Sequence, residues 1–178
     1  MSNNFWSSLT KEISQLFEIQ ETEINKTEEM YDMFHNACKT GNVEMVQKYL
    51  KDGIDPSIPD NYAIQYACEI GHISIIDQLL QDSRVDPSAD FNIVFQTACR
   101  YNHIDIVYLL LQDSRIDPFD LNNQAMLNAS LYGDINVVER LLQEHPKYPL
   151  RKINMNHVIY YAREKGHTTI VNRLLQFV

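Results

Sequence analysis

The side chains in this 178-residue chain best equipped for chemistry are three cysteines and six histidines. A cysteine can supply a nucleophilic thiolate, half a disulfide or a metal bond, and a histidine a general base or a ligand. Zinc sites pair their ligands a few residues apart. Here Cys38, Cys68 and Cys99 lie thirty and thirty-one residues apart, in NACKTGN, YACEIGH and TACRYNH. An odd number of cysteines so widely spaced is also a poor disulfide framework. Little nearby would lower a thiol pKa: Glu69 follows Cys68, and only Lys39 and Arg100 adjoin the other two. His72, His103 and His167 share one position in the same frame. Side chains placed by such a period serve a repeating unit first, so the cysteines read as small buried residues, one per unit. No G-x-S-x-G, H-E-x-x-H, phosphate loop or dinucleotide fingerprint occurs. The expectation is no catalytic residue, no metal and no cofactor, with an enzyme of unrecognised site kept only as an alternative.

The elements that must position these residues follow the same frame. Ala37, Ala67, Ala98, Ala129 and Ala162 are each followed four residues later by Gly41, Gly71, Asn102, Gly133 and Gly166, and then by an apolar run ending in Leu-Leu or Tyr-Leu. In the second unit Ala63, Ile64, Ala67 and Cys68 fit one face of a short helix, and Ile73, Ile75, Ile76, Leu79 and Leu80 fit another. Each unit is thus two antiparallel helices, and the Gly or Asn between them supplies a left-handed stop. Asn61, Asn92, Asn123 and Asn156, each six residues before its alanine, are expected as N-caps. Residues 79–87, LLQDSRVDP, recur at 110–118 as LLQDSRIDP. Pro87 and Pro118 cannot continue a helix, and the aspartate before each is biased away from one, so the segment is a connector. A helix pair this short cannot bury its own stripe and must stack on the next.

Over about residues 31–178 this pattern resembles the ankyrin repeat family. The residues that carry the resemblance are the Ala67, Cys68, Gly71, His72 block, the apolar helix ending at Leu79 and Leu80, and the Asp that opens the next connector. The family's T-P-L-H start is absent, with only His35 matching its histidine, and connectors such as GIDPSIPDNY are about three residues shorter than usual. The D-P-S variant, rich in Ile and Asn, is similar to arrays of large DNA viruses that infect protists. The resemblance implies an all-α helix–turn–helix solenoid of about five stacked repeats with short connector turns, and turn hydrogen bonds from the repeated histidines. It also implies a non-catalytic adaptor that binds a partner protein on its concave face. Contacts would come from the two residues before each stop and from connector tips. On that basis Ile70, Tyr101, Leu131 and Tyr132, with Phe91 and Phe119, form an anchor patch beside Glu69 and Arg100.

Both ends depart from the repeat. Residues 1–26 place Phe5, Leu9, Ile13, Leu16 and Phe17 at helical spacing, with Lys11, Glu12 and Glu18 elsewhere. This N-terminal amphipathic helix is expected to fold back as a cap on the repeat domain, residues 27–178, or else to dock a partner. Between the fourth and fifth units HPKYPLRKIN replaces DSRIDP, and Lys147, Arg151 and Lys152 form a secondary basic loop suited to an acidic segment or a phosphate. The net charge of -9 disfavours nucleic acid. No apolar run of membrane length and no signal-peptide pattern occurs. The chain is therefore expected to be intracellular and cytoplasmic (in the host cytoplasm if viral), and monomeric. The alternative is a structural component that self-associates through Leu174, Leu175, Phe177 and Val178.

Overall fold

The computed structural model describes residues 2–147 and 154–177, with side chains described for most residues from Ser14 onward. The helices are α1 (Ser2–Thr40), α2 (Val43–Lys51), α3 (Tyr62–Ile70), α4 (Ile73–Leu80), α5 (Ala89–Arg100), α6 (Ile104–Leu110), α7 (Asp120–Tyr132), α8 (Ile135–Glu144), α9 (Met155–Glu164) and α10 (Thr168–Phe177). A short 3-10 turn, His145–Lys147, follows α8, and no strand occurs among the described residues. The odd-numbered helices pack in sequence, α1 on α3, α3 on α5, α5 on α7 and α7 on α9. The even-numbered helices form a second layer, α2 to α10, packed in the same order. The protein is an all-α solenoid of five stacked helix pairs.

The core sits between the two layers. On the first helices it takes Ala63, Ile64, Ala67 and Cys68 from α3, and Val94, Phe95, Ala98 and Cys99 from α5. On the second helices it takes Ile75, Ile76 and Leu79 from α4, and Ile106, Val107 and Leu110 from α6. The Ala-Cys pair is small enough for neighbouring first helices to approach closely, and Cys68 Sγ donates to the Val94 carbonyl of the next unit at 3.1 Å. The helix stops at Gly41, Gly71, Asn102, Gly133 and Gly166 all have positive φ, between 57° and 94°. Each lets the following amide return to the repeat alanine: the amides of Asn42, His72, His103, Asp134 and His167 donate to the carbonyls of Ala37, Ala67, Ala98, Ala129 and Ala162 at 2.8 to 2.9 Å.

The recurring connector is a set of staples. Asp82 and Asp113 hold Arg84 and Arg115 at 2.6 Å. The aimed guanidiniums then donate backwards, Arg84 to the Ile54 carbonyl at 3.1 Å and Arg115 to the Val85 carbonyl at 2.9 Å. The arginine hydrogen bonds keep both carboxyls below their usual range. Asp55, Asp86 and Asp117 each accept from the amide two residues on, at 3.0, 2.9 and 3.0 Å, which turns the chain after the helix ends.

Three expectations need correction. Asn61 stands at the N-cap position of α3 but its side chain makes no capping bond, and Asn92 and Asn123 fall within α5 and α7; the three have φ of 56°, 60° and 70°, in the left-handed region. The chain reverses its hand at this corner, just before α3 and within the first turns of α5 and α7, and asparagine tolerates that conformation better than other residues with a Cβ. Their side chains serve the stack instead, Asn61 Oδ1 accepting from the Asp86 amide at 3.2 Å and Asn92 Nδ2 donating to Asp120 at 3.1 Å. Asn156 lies inside α9, where Asn154 caps by accepting from the His157 amide at 3.3 Å. Second, the N-terminal helix does not fold back. Residues 2 to 26 run without a break into the first helix of the first unit, and every described side chain from Ser14 to Glu29 is exposed. Third, Phe119 is core, only 2% exposed. It follows Asp117 by two residues, the place of Ser57 and Ser88, whereas Phe91 lies five after its aspartate and is exposed at the left-handed corner.

Candidate functional site

The first-helix layer ends in a ridge of the residues before each stop. Glu69 and Ile70 close α3, Arg100 ends α5 with Tyr101 as its C-cap, and Leu131 and Tyr132 close α7. Glu69, Ile70, Arg100, Tyr101 and Tyr132 are exposed and Leu131 is half-buried. The Arg100 guanidinium carbon lies 5.6 Å from the ring centres of both Tyr101 and Tyr132, so one cation links two units. Tyr101 also stacks on His103, with ring centres 6.2 Å apart, and its hydroxyl makes a long 3.5 Å bond to Glu69.

The repeated histidines fix this ridge from the neighbouring unit. His72 Nε2 donates to the Lys39 carbonyl at 3.1 Å, His103 to Glu69 at 3.2 Å and His167 to Leu131 at 3.1 Å. Each acceptor is the residue two before its stop. The rings also explain the glycines: a Cβ at Gly41, Gly71 or Gly133 would meet the Cε1 of His72, His103 or His167 at 2.7, 2.8 or 2.6 Å. At the third stop the chain has Asn102, and the next unit carries the smaller Asp134 in place of a histidine. Burial raises the Asp134 carboxyl above its usual range, and nearby His167 partly offsets that. His35, the residue that matches the family's histidine, donates to the Ile58 carbonyl at 3.1 Å, and desolvation lowers its pKa.

The cysteines are unpaired and buried. Burial pushes the Cys38 and Cys68 thiols up to about 12 and Cys99 well above its usual value. Such thiols stay protonated near neutral pH and are poor nucleophiles and ligands. Among the described residues no cluster of His, Cys, Asp and Glu could hold a metal ion, and no helix is long and apolar enough to cross a membrane.

The ridge continues into a groove that the reading of residue pairs missed. Tyr62, Gln65, Tyr66 and Glu69 from α3 face Thr97 and Arg100 from α5 and its C-cap Tyr101 across a groove of about 390 Å³. Its signal was present in the sequence: Tyr62, Tyr66 and Glu69 are spaced four and three apart and therefore share a helix face. Lys39 Nζ sits 5.9 Å from the Tyr66 ring centre on the side of the first unit. Exposed Tyr160 and Tyr161 extend the aromatic surface on α9. Of the secondary basic loop, Lys147 is exposed but already paired with Glu144 at 2.7 Å, while Arg151 and Lys152 lie outside the described residues. At the C-terminal end Leu174 is buried in the array, Leu175 and Phe177 are exposed, and Val178 is outside the described residues.

The family description "ankyrin repeats (3 copies)" matches residues 34–124 and 66–152. The match is to the family as a whole and carries no support for a viral variant. No curated protein matches the chain. Ankyrin repeats are in general protein–protein interaction modules and typically non-catalytic. With five stacked helix pairs and a family match over well more than half its length, the chain belongs to the ankyrin repeat family.

Proposed function

We propose that this protein is a non-catalytic adaptor that binds a segment of a partner protein along its first-helix face, the concave face in arrays of this family. Glu69, Ile70, Phe91, Arg100, Tyr101, Leu131 and Tyr132 make the contacts. The observation that carries the reading is the Tyr101–Arg100–Tyr132 cluster, large half-exposed rings brought together from two units. Tyrosine gives wide contact area with few rotors to freeze and a hydroxyl that stays wet. A cytoplasmic site of action fits three unpaired cysteines, and the net charge of -9 fits a protein partner better than nucleic acid. Partners captured from cells by the intact chain and identified by mass spectrometry provide the test. Replacing Tyr101 and Tyr132 together by Ala should leave helicity and melting unchanged while weakening binding by about 2 kcal/mol or more. Full binding by the folded double variant would move the site off this ridge.

A further inference from the structure

Most arginines of this acidic chain already have a carboxylate. Arg84, Arg115, Arg140 and Arg173 meet Asp82, Asp113, Glu144 and Glu139, each at 2.6 Å. Arg100 does not: among the described residues its side chain forms no ion pair and no hydrogen bond. It is nevertheless held, because its guanidinium lies over the rings of Tyr101 and Tyr132. Contact with ring faces restrains a guanidinium without consuming its N–H donors, so the fork stays available in a preset place. Lys39 repeats the arrangement over Tyr66, and its ammonium also lacks a carboxylate among the described residues. Between the two lies the groove walled by Tyr62, Tyr66, Thr97 and Tyr101.

We propose that this ridge selects an acidic segment of a partner protein, one carboxylate forked on Arg100 and a neighbouring apolar side chain in the tyrosine-walled groove. The proposal rests on the reading of the first-helix face as the binding surface and adds the chemistry it recognises. A single guanidinium matches a single carboxylate, and Glu69, in the same groove, opposes the second charge of a phosphate. The chain's net charge of -9 is spread over the whole molecule, and salt at 0.1 M screens exposed charges beyond about 10 Å, so the distant carboxylates do little to repel an acidic partner at the ridge. Arg100 and Lys39 stand two units apart, roughly 20 Å for stacked helices about 10 Å apart. An extended segment rises about 3.3 Å per residue, so a second acid on Lys39 would fall about six residues from the first.

Random dodecapeptides displayed on phage and selected against the whole chain test this directly. The expected peptides carry Asp or Glu beside an apolar residue. Made as synthetic peptides, they should bind Arg100→Gln about tenfold more weakly or worse, the loss expected for one charge-assisted hydrogen-bonded contact. Arg100→Lys, which keeps the charge without the planar fork, should fall between, with unchanged circular dichroism in both variants. Failure to enrich any peptide, enrichment of peptides without acids, or equal binding to Arg100→Gln overturns the proposal. The Tyr101→Ala, Tyr132→Ala chain separates the two levels. Peptides that bind it at full strength remove the first-helix face as the site, whereas peptides lost on it but indifferent to Arg100→Gln leave that face standing and remove only the acidic preference.

Discussion

The two halves of α1 carry one apolar stripe and meet opposite fates. Phe17, Ile24, Tyr31 and Cys38 follow one another at intervals of seven residues and so share a face. Along that face Phe17 is 67% exposed and Ile24 50%, Tyr31 is half-buried, and Cys38 is fully buried. What changes is the neighbourhood: from Tyr31 onward α2 and α3 lie against the helix, whereas the described side chains from Ser14 to Glu29 stay exposed. Periodicity therefore marks a face without saying what covers it. The continuous helix has its own cause. Between residues 2 and 40 there is neither Gly nor Pro. Extending an existing helix gains a hydrogen bond per residue, while a fold-back would break several and require a new nucleus.

Substituting the same residue type in each half breaks or keeps this contrast. Phe34→Ala removes a fully buried ring and should cost about 3 to 5 kcal/mol in urea unfolding, whereas Phe17→Ala should change stability by no more than about 0.5 kcal/mol. Similar losses at the two sites would mean that the N-terminal half is covered in solution. A second pair sharpens the contrast between a helix stop that a neighbouring imidazole covers and one that no imidazole covers. Gly71→Ala strains a φ of +94° and drives a Cβ to 2.8 Å from the His103 ring, and should cost about 2 to 4 kcal/mol. Gly166→Ala shares the positive φ but meets nothing within 4 Å, so about 1 to 2 kcal/mol is expected. Equal melting losses would contradict the imidazole as the reason for glycine. The smallest effect belongs to removal of residues 1 to 22, which should leave the melting temperature of the array nearly unchanged. Light scattering on the intact and shortened chains then asks what the exposed stripe does. Mass that grows with concentration only in the intact chain would assign Leu16, Phe17 and Ile24 to self-association.

Much of the architecture is readable from spacing because each unit repeats the same physical problem. The alanine and cysteine positions, the left-handed stops and the proline-ended connectors recur in register, and each repetition checks the others. The corner asparagines misled because Asn serves both as a helix cap and as a left-handed residue, and residue type alone does not separate the two. Phe119 and Phe91 looked equivalent only while they were counted as connector aromatics. Measured from Asp117 and Asp86 they occupy different positions, and only Phe91 projects outward. At the site, Ile70, Tyr101 and Tyr132 were visible as pairs before the stops. The groove was not, because Tyr62 and Tyr66 join it from the preceding turn of α3. The guanidinium staples were hidden for another reason: a D-S-R triplet does not reveal which carbonyl its arginine reaches.

Those staples also limit how far any part of the chain must search for its partners. Arg84 and Arg115 each reach thirty residues back, and the bond from His167 to Leu131 spans thirty-six. Every such bond joins a unit to its immediate neighbour, so closing it costs the entropy of a short loop rather than of the whole chain. Folding can start in the interior and spread towards both ends, one interface at a time. The same short reach makes length an adjustable quantity: a copy of residues 79–109 inserted in phase meets ends already shaped to receive it, and lengthens the binding ridge by one helix while leaving every other junction intact.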